Sequence, residues 1–142
     1  MNATLAIMIC VVFVVLALWH LRMALVPARG KSGAVPSVEG KPLFVPSRRA
    51  TVGVALALLS FAALVAATAG LFPPALPGVA LVWLSYGLAL GLLLRAIGDF
   101  KYVGLFKRVR GSRFAKLDTL VYSPLCLLLA VGVALVALRN GA

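Results

Sequence analysis

Hydrophobic positions along this chain fall into four long runs instead of the alternating stripes of a water-soluble fold. The first extends from Ala3 to about Leu25 and is interrupted only by His20 and Arg22 near its end. The others cover Ala50 to Leu71, Pro77 to Ile97, and Thr119 to about Leu138. About 20 apolar residues at 1.5 Å per residue match the hydrocarbon thickness of a bilayer, so each run predicts a spanning helix. The expected fold is all-α: a four-transmembrane-helix bundle filling one integral membrane domain over residues 1–142. The opening Met1-Asn2-Ala3-Thr4 has no basic side chain and the first run is too long for a signal peptide, so this segment is expected to stay in the mature protein.

The connections differ in character. Residues 26–49 carry Pro27, Gly30, Gly33, Pro36, Gly40, Pro42 and Pro46 among basic residues, a composition for turns and extended chain that also admits short strands or a hairpin. Phe72-Pro73-Pro74-Ala75-Leu76-Pro77 is a tight uncharged turn that makes the second and third helices an antiparallel pair. Residues 98–118 form a second basic loop. Pro124 lies one to two turns inside the fourth run and predicts a kink or a helix start nearby.

Composition agrees with the pattern. The chain is 63% hydrophobic and 12% charged, against about 45–50% and about 25% in ordinary soluble domains. The net charge of +11 comes from 14 Lys and Arg against Glu39, Asp99 and Asp118. Its distribution sets an orientation. Arg29, Lys31, Lys41, Arg48 and Arg49 lie between the first two spans, and Lys101, Lys107, Arg108, Arg110, Arg113 and Lys116 between the last two. The opposite side has only Arg139 and the chain amino group. Short basic loops stay in the cytoplasm, which places both termini on the non-cytoplasmic side.

Small residues mark helix contacts: Gly87 and Gly91 in the third span, and Ala62, Ala66 and Gly70 in the second. Such positions let helices approach closely, and packing within the bundle is the expected use, with an oligomer contact as the alternative. Trp83 and Tyr86 suit either an interface anchor or the core. Cys10 and Cys126 sit in apolar runs at depths that differ by roughly 10 Å, too far apart for a disulfide.

No acidic residue falls in the middle of a span, which argues against a proton-coupled exporter. One His, two separated Cys and three acids supply no zinc-like set, and neither a phosphate-binding glycine loop nor a nucleophile elbow occurs, so no metal, cofactor or catalytic motif is expected. One constellation shares a depth at the cytoplasmic ends of the helices: His20, Arg95, Asp99, Asp118 and Tyr122. Arg95 and Asp99 are four apart, as are Asp118 and Tyr122, hence on common helix faces. In the plainer reading, Arg95 reaches the headgroups and pairs with Asp99, while Asp118 caps the fourth helix. In the functional reading, the group binds a headgroup or small polar ligand, with His20 as a proton donor or acceptor. Between them, Lys101, Lys107, Arg108, Arg110, Arg113 and Lys116 are candidates for lipid phosphates, with Phe100, Val103, Phe106 and Val109 dipping into the acyl boundary. Nucleic acid is the weaker reading and is not expected as a partner, because the segment is tethered to the bilayer at both ends.

The stretches Arg95-Ala96-Ile97-Gly98-Asp99-Phe100-Lys101-Tyr102-Val103-Gly104, Phe114-Ala115-Lys116-Leu117-Asp118-Thr119 and Tyr122-Ser123-Pro124-Leu125-Cys126 resemble the bacterial membrane family called domain of unknown function 3995. Gly40-Lys41-Pro42 and Val45-Pro46 are similar to it too. The resemblance implies a four-helix bacterial inner-membrane protein and brings no established activity. The leading expectation is a noncatalytic multi-pass component that contacts anionic lipid or a partner, either a second copy or another membrane protein. The alternative is a small membrane enzyme or transport protein using the polar site at the cytoplasmic interface.

Overall fold

The structure, a computed structural model, describes residues 2–26, 35–38 and 41–141. Arg29, Lys31, Glu39 and the glycines at 30, 33 and 40 lie outside them. The described chain is helical apart from one minimal hairpin: α1 (Asn2–Leu25), β1 (Ser37–Val38), β2 (Lys41–Pro42), α2 (Arg48–Thr68), α3 (Gly78–Ile97), α4 (Arg113–Leu117) and α5 (Ser123–Asn140). A π-helical turn, Asp118–Tyr122, joins α4 to α5. Four helices are long and apolar enough to cross a membrane: Ala3–Leu25, Arg48–Thr68, Gly78–Ile97 and Arg113–Asn140. The two-residue strands pair antiparallel, Ser37 with Pro42 and Val38 with Lys41, the short hairpin that the loop composition admits.

Local chemistry sets the helix ends. The Ser47 hydroxyl accepts from the Ala50 amide at 3.1 Å, so α2 begins two residues before the apolar run. Gly70, at φ +70°, closes it earlier than hydropathy alone suggests: the Gly70 amide donates to the Ala67 carbonyl and the Leu71 amide to that of Ala66. The last span departs further from expectation. Its cap is Ser112, whose hydroxyl accepts from the Ala115 amide at 3.0 Å, so the helix starts at Arg113 and Asp118 lies inside it. The second basic loop is therefore 98–112. Pro124 lacks an amide hydrogen and its ring would crowd the Leu120 carbonyl in a regular α-helix. The preceding turn widens instead, with the Ser123 amide donating to the Asp118 carbonyl.

Consecutive spans run antiparallel. α1 packs chiefly on α2 and α3 chiefly on α5, with α1–α5 and α2–α3 contacts completing the ring. Phe13, fully buried, meets Phe61 edge-on with ring centroids 5.9 Å apart. Around it, Ala6, Ile9, Ala62, Val65, Ala89, Leu129, Val133 and Val136 form the core. The Cys10 thiol donates to the Ala62 carbonyl at 3.3 Å, and both cysteines are free thiols. At the end holding both termini, Thr68 of α2 and Ser85 of α3 share a buried hydroxyl–hydroxyl bond of 2.9 Å.

Of the expected packing residues, Ala62 is buried, Ala66 half-buried, and Gly70 exposed in the turn after α2. Gly87 and Gly91 do not pack within the bundle. Both are exposed, and a Cβ at either would meet no atom within 4 Å. The contact face of α3 is Leu81, Ser85, Ala89 and Ala96, which turns the glycines outward. Trp83 also points outward at 70% exposed, its ring 6.1 Å from that of Tyr86.

Because Phe13 is fully buried in the core against Phe61, Phe13→Ala is expected to lower unfolding stability by about 3 kcal/mol, the lower end of the range for such truncations. Steric-trapping or denaturing-detergent titration of the reconstituted protein measures it; a change below roughly 1 kcal/mol contradicts a tightly packed core.

Candidate functional site

The two described carboxylates both lie at the loop end of the bundle, opposite the termini, and each organises different atoms. Asp118 has no exposed surface. Its Oδ1 accepts from Arg95 Nη2 at 2.9 Å, and its Oδ2 accepts from Lys107 Nζ at 3.0 Å and from the Gly104 amide at 2.7 Å. Lys107 is 2% exposed and directs its three donors to Asp118, the Gly104 carbonyl at 2.9 Å and Thr119 Oγ1 at 2.6 Å. The Thr119 hydroxyl in turn donates to the Ala115 carbonyl. An isolated buried ammonium or carboxylate would be costly to desolvate; here each of the three ammonium protons of Lys107 has an acceptor, one of them the Asp118 carboxylate, which makes the burial tolerable.

Asp99 works on the loop itself. Its Oδ1 accepts from the amides of Lys101, Tyr102 and Val103 at 2.9, 2.7 and 2.9 Å. These amides, the Val103 one foremost, outweigh a slight desolvation and hold the carboxyl below its ordinary value of 3.8. The main chain closes around it: the Asp99 amide donates to the Val103 carbonyl, the Leu105 amide to that of Ala96, and the Val109 amide to that of Lys101. Two glycines permit the close approach. Gly98 and Gly104 have φ of +89° and +95°, and a Cβ on either would fall 1.8 or 2.3 Å from a backbone oxygen of the other strand of the loop. Phe100 takes φ +59°, a conformation that costs a bulky residue about 1–3 kcal/mol.

The five residues singled out from the sequence therefore separate. Arg95 and Asp118 are in direct contact. Asp99 bonds to its own loop and not to Arg95, because three amides converge on it, and Asp118 takes the guanidinium. Asp118 does not cap the helix. Tyr122 places its ring 6.0 Å from that of Phe114. His20 donates from Nδ1 to the Leu16 carbonyl at 2.7 Å within α1, and no hydrogen bond among the described residues links it to Arg95 or Asp118. Of the six basic residues expected to face lipid phosphates, Lys101, Arg108, Arg110, Arg113 and Lys116 are exposed, whereas Lys107 turns inward to Asp118. Lys107, Gly104 and Thr119 are the participants that sequence reading missed. The available signal was arithmetic: one carboxylate at a helix end, with a neighbouring loop rich in cations, needs at least one of them.

Among the described residues, no group of three or more His, Cys, Asp and Glu side chains is arranged to hold a metal ion. The spans and the folded basic loop define a polytopic four-helix membrane protein. Residues 13–133 match the family described as Protein of unknown function (DUF3995), and the chain belongs to that family. No curated protein and no solved structure is similar enough to match it.

Removing the charge of Asp118 leaves Lys107 buried without its counter-ion, so Asp118→Asn is expected to destabilise the loop by about 3–5 kcal/mol. Limited trypsin digestion reads this directly, since Lys101, Arg108 and Arg110 lie in the segment: the variant should be cut there much faster than wild type, and equal rates would contradict the clip. For Asp99 the sign follows from its lowered pKa. The stabilisation is complete above 3.8 and is lost as pH falls through the lower folded-state value. Amide NMR shifts of Lys101, Tyr102 and Val103 should be constant from neutral pH down to that point and move together below it; a transition near neutrality would contradict the assignment.

Proposed function

We propose that this protein is a noncatalytic component of a bacterial inner membrane, with both termini on the non-cytoplasmic side and its basic loop end bound to anionic lipid at the cytoplasmic surface. The observation that carries this reading is how the charges at the loop end are used. Asp118 is held by Arg95, Lys107 and the Gly104 amide, and Asp99 accepts three loop amides on its Oδ1, while Lys101, Arg108 and Lys116 are exposed. Carboxylates committed in this way are poorly placed to act as general acids or bases, which weighs against the alternative of an enzyme or transporter built on the same residues. A cluster of exposed cations at the end of spanning helices is suited to lipid phosphates, at about 1 kcal/mol per residue near the surface. The excess of Lys and Arg on this end is also what supports the orientation.

Native mass spectrometry of protein released from nanodiscs of mixed phosphatidylcholine and phosphatidylglycerol tests the reading. Wild type should retain phosphatidylglycerol preferentially. A triple variant, Lys101→Gln, Arg108→Gln and Lys116→Gln, removes about 3 kcal/mol of attraction if the contributions add, and its preference should fall by up to roughly a hundredfold. Equal retention by both would sink the lipid reading. A reporter active only outside the cytoplasm, fused at the carboxyl terminus, should be active; a silent reporter on a stably expressed fusion would reverse the orientation.

A further inference from the structure

The segment between α3 and α4 inverts the usual arrangement of side chains. Lys107 is buried at 2% exposure, while its neighbour Phe106 is 61% exposed and Phe100 is 56% exposed. In water a loop gains by folding its phenylalanines in and leaving its lysines out. Here internal bonds enforce the opposite. Lys107 is held inside by Asp118, Gly104 and Thr119, which fixes the chain direction at Phe106. Phe100 sits between the Gly98 bend and the three amides gathered on Asp99, in the left-handed region that no other non-glycine residue among those described adopts. Strain of this kind persists only where the surroundings impose it, and it recurs at sites that act on something outside the chain. Val103 and Val109, by contrast, are half-buried.

We propose that Phe100 and Phe106 form a preformed anchor that inserts into the lipid leaflet at the loop end of the bilayer crossed by the four helices. The occupant is lipid because the segment starts one residue after a spanning helix ends at Ile97, and because exposed cations adjoin both rings. Lys101 follows Phe100, and Arg108 lies two residues after Phe106. That combination is complementary to the phosphate and acyl layers of a leaflet. Asp118 and Lys107 are positioning residues: they hold the rings outward without touching lipid. The proposal builds on the anionic-lipid reading for the cations, but the insertion of the rings is measured separately.

The full-length protein with Trp19→Phe and Trp83→Phe supplies a background without tryptophan, both native indoles being exposed. Phe100→Trp and Phe106→Trp are then introduced singly and reconstituted into phosphatidylcholine–phosphatidylglycerol vesicles. Insertion predicts blue-shifted emission, loss of roughly half of it to lipids brominated near the glycerol end of the acyl chain, and little quenching by aqueous iodide. Adding Asp118→Asn should move both probes toward iodide-accessible, red-shifted emission. Iodide quenching without bromolipid quenching in both single-tryptophan proteins overturns the anchor. So does bromolipid quenching that Asp118→Asn leaves unchanged, since the rings would then not be positioned by the clip. If the probes report insertion while the charge-depleted triple variant retains phosphatidylglycerol normally, the anchor stands and the anionic preference fails. Aqueous probes in a protein that still selects phosphatidylglycerol give the reverse.

Discussion

Asp118 is a carboxylate with no exposed surface at the end of a membrane bundle, and satisfying it constrains three segments at once. Desolvating such a group costs several kcal/mol unless cations and amides replace the lost water. Arg95 reaches it from α3, Lys107 from the loop, and Gly104 through the main chain. Each contact transmits position. α3 is joined to the start of the last span, the loop between them is drawn against the bundle, and Lys107 is taken away from the surface where its charge would otherwise sit. The π turn belongs to the same arrangement. It accommodates Pro124 and aligns Asp118 and Ser123, both fully buried, on one side of the helix that then continues as α5.

A second polar contact lies at the opposite end, where Thr68 and Ser85 join α2 to α3. Polar contacts at both ends have a physical reason. In a bilayer, apolar helix faces gain no hydrophobic energy by leaving lipid for each other, so association rests on close packing and interhelical hydrogen bonds. The core is accordingly built from alanine, valine, isoleucine and leucine side chains interlocked around an aromatic pair, Phe13 and Phe61. Many of the larger apolar residues, among them Met8, Val15, Leu56, Leu90 and Leu128, lie on the outside. An exposure pattern that would mark a soluble protein as misfolded is ordinary for one solvated by acyl chains.

The number and order of the spans were legible because hydropathy over about 20 residues reports directly on the solvent. The turn between α2 and α3 and the place of Pro124 were legible from proline chemistry. Helix faces were not. Hydrophobic runs with so few polar positions carry little phase, so the outward direction of Gly87 and Gly91 could not be read from their spacing, although the glycine pair looked like a packing motif. The site was half legible. Arg95 and Asp118 could be placed at one depth, but helical spacing favoured Arg95 with Asp99. That local argument lost because Gly98 ends the helix before Asp99, at φ +89°, and takes the second carboxylate off the helical face. Pairs formed across a loop, such as Lys107 with Asp118, follow from loop geometry that residue spacing does not encode.

The separation of structural from surface charge narrows what the loop end can do. A mobile basic loop would attract any anion through its mean field, with each lysine free to seek its own partner. This loop is instead held at four points: the Gly98–Gly104 approach, the amides on Asp99, the Lys101–Val109 main-chain bond and the Lys107 clip. The backbone that carries its exposed cations and rings is therefore held in place before any contact is made, and little main-chain entropy remains to be lost on binding. In the proposed reading, the surface the loop meets presents negative charge and hydrocarbon in successive layers, as a lipid leaflet does. Free polyanions in solution offer the first of these without the second. Tethering at Ile97 and Arg113, where the two adjoining helices end and begin, keeps the loop at the end of the bundle opposite the termini.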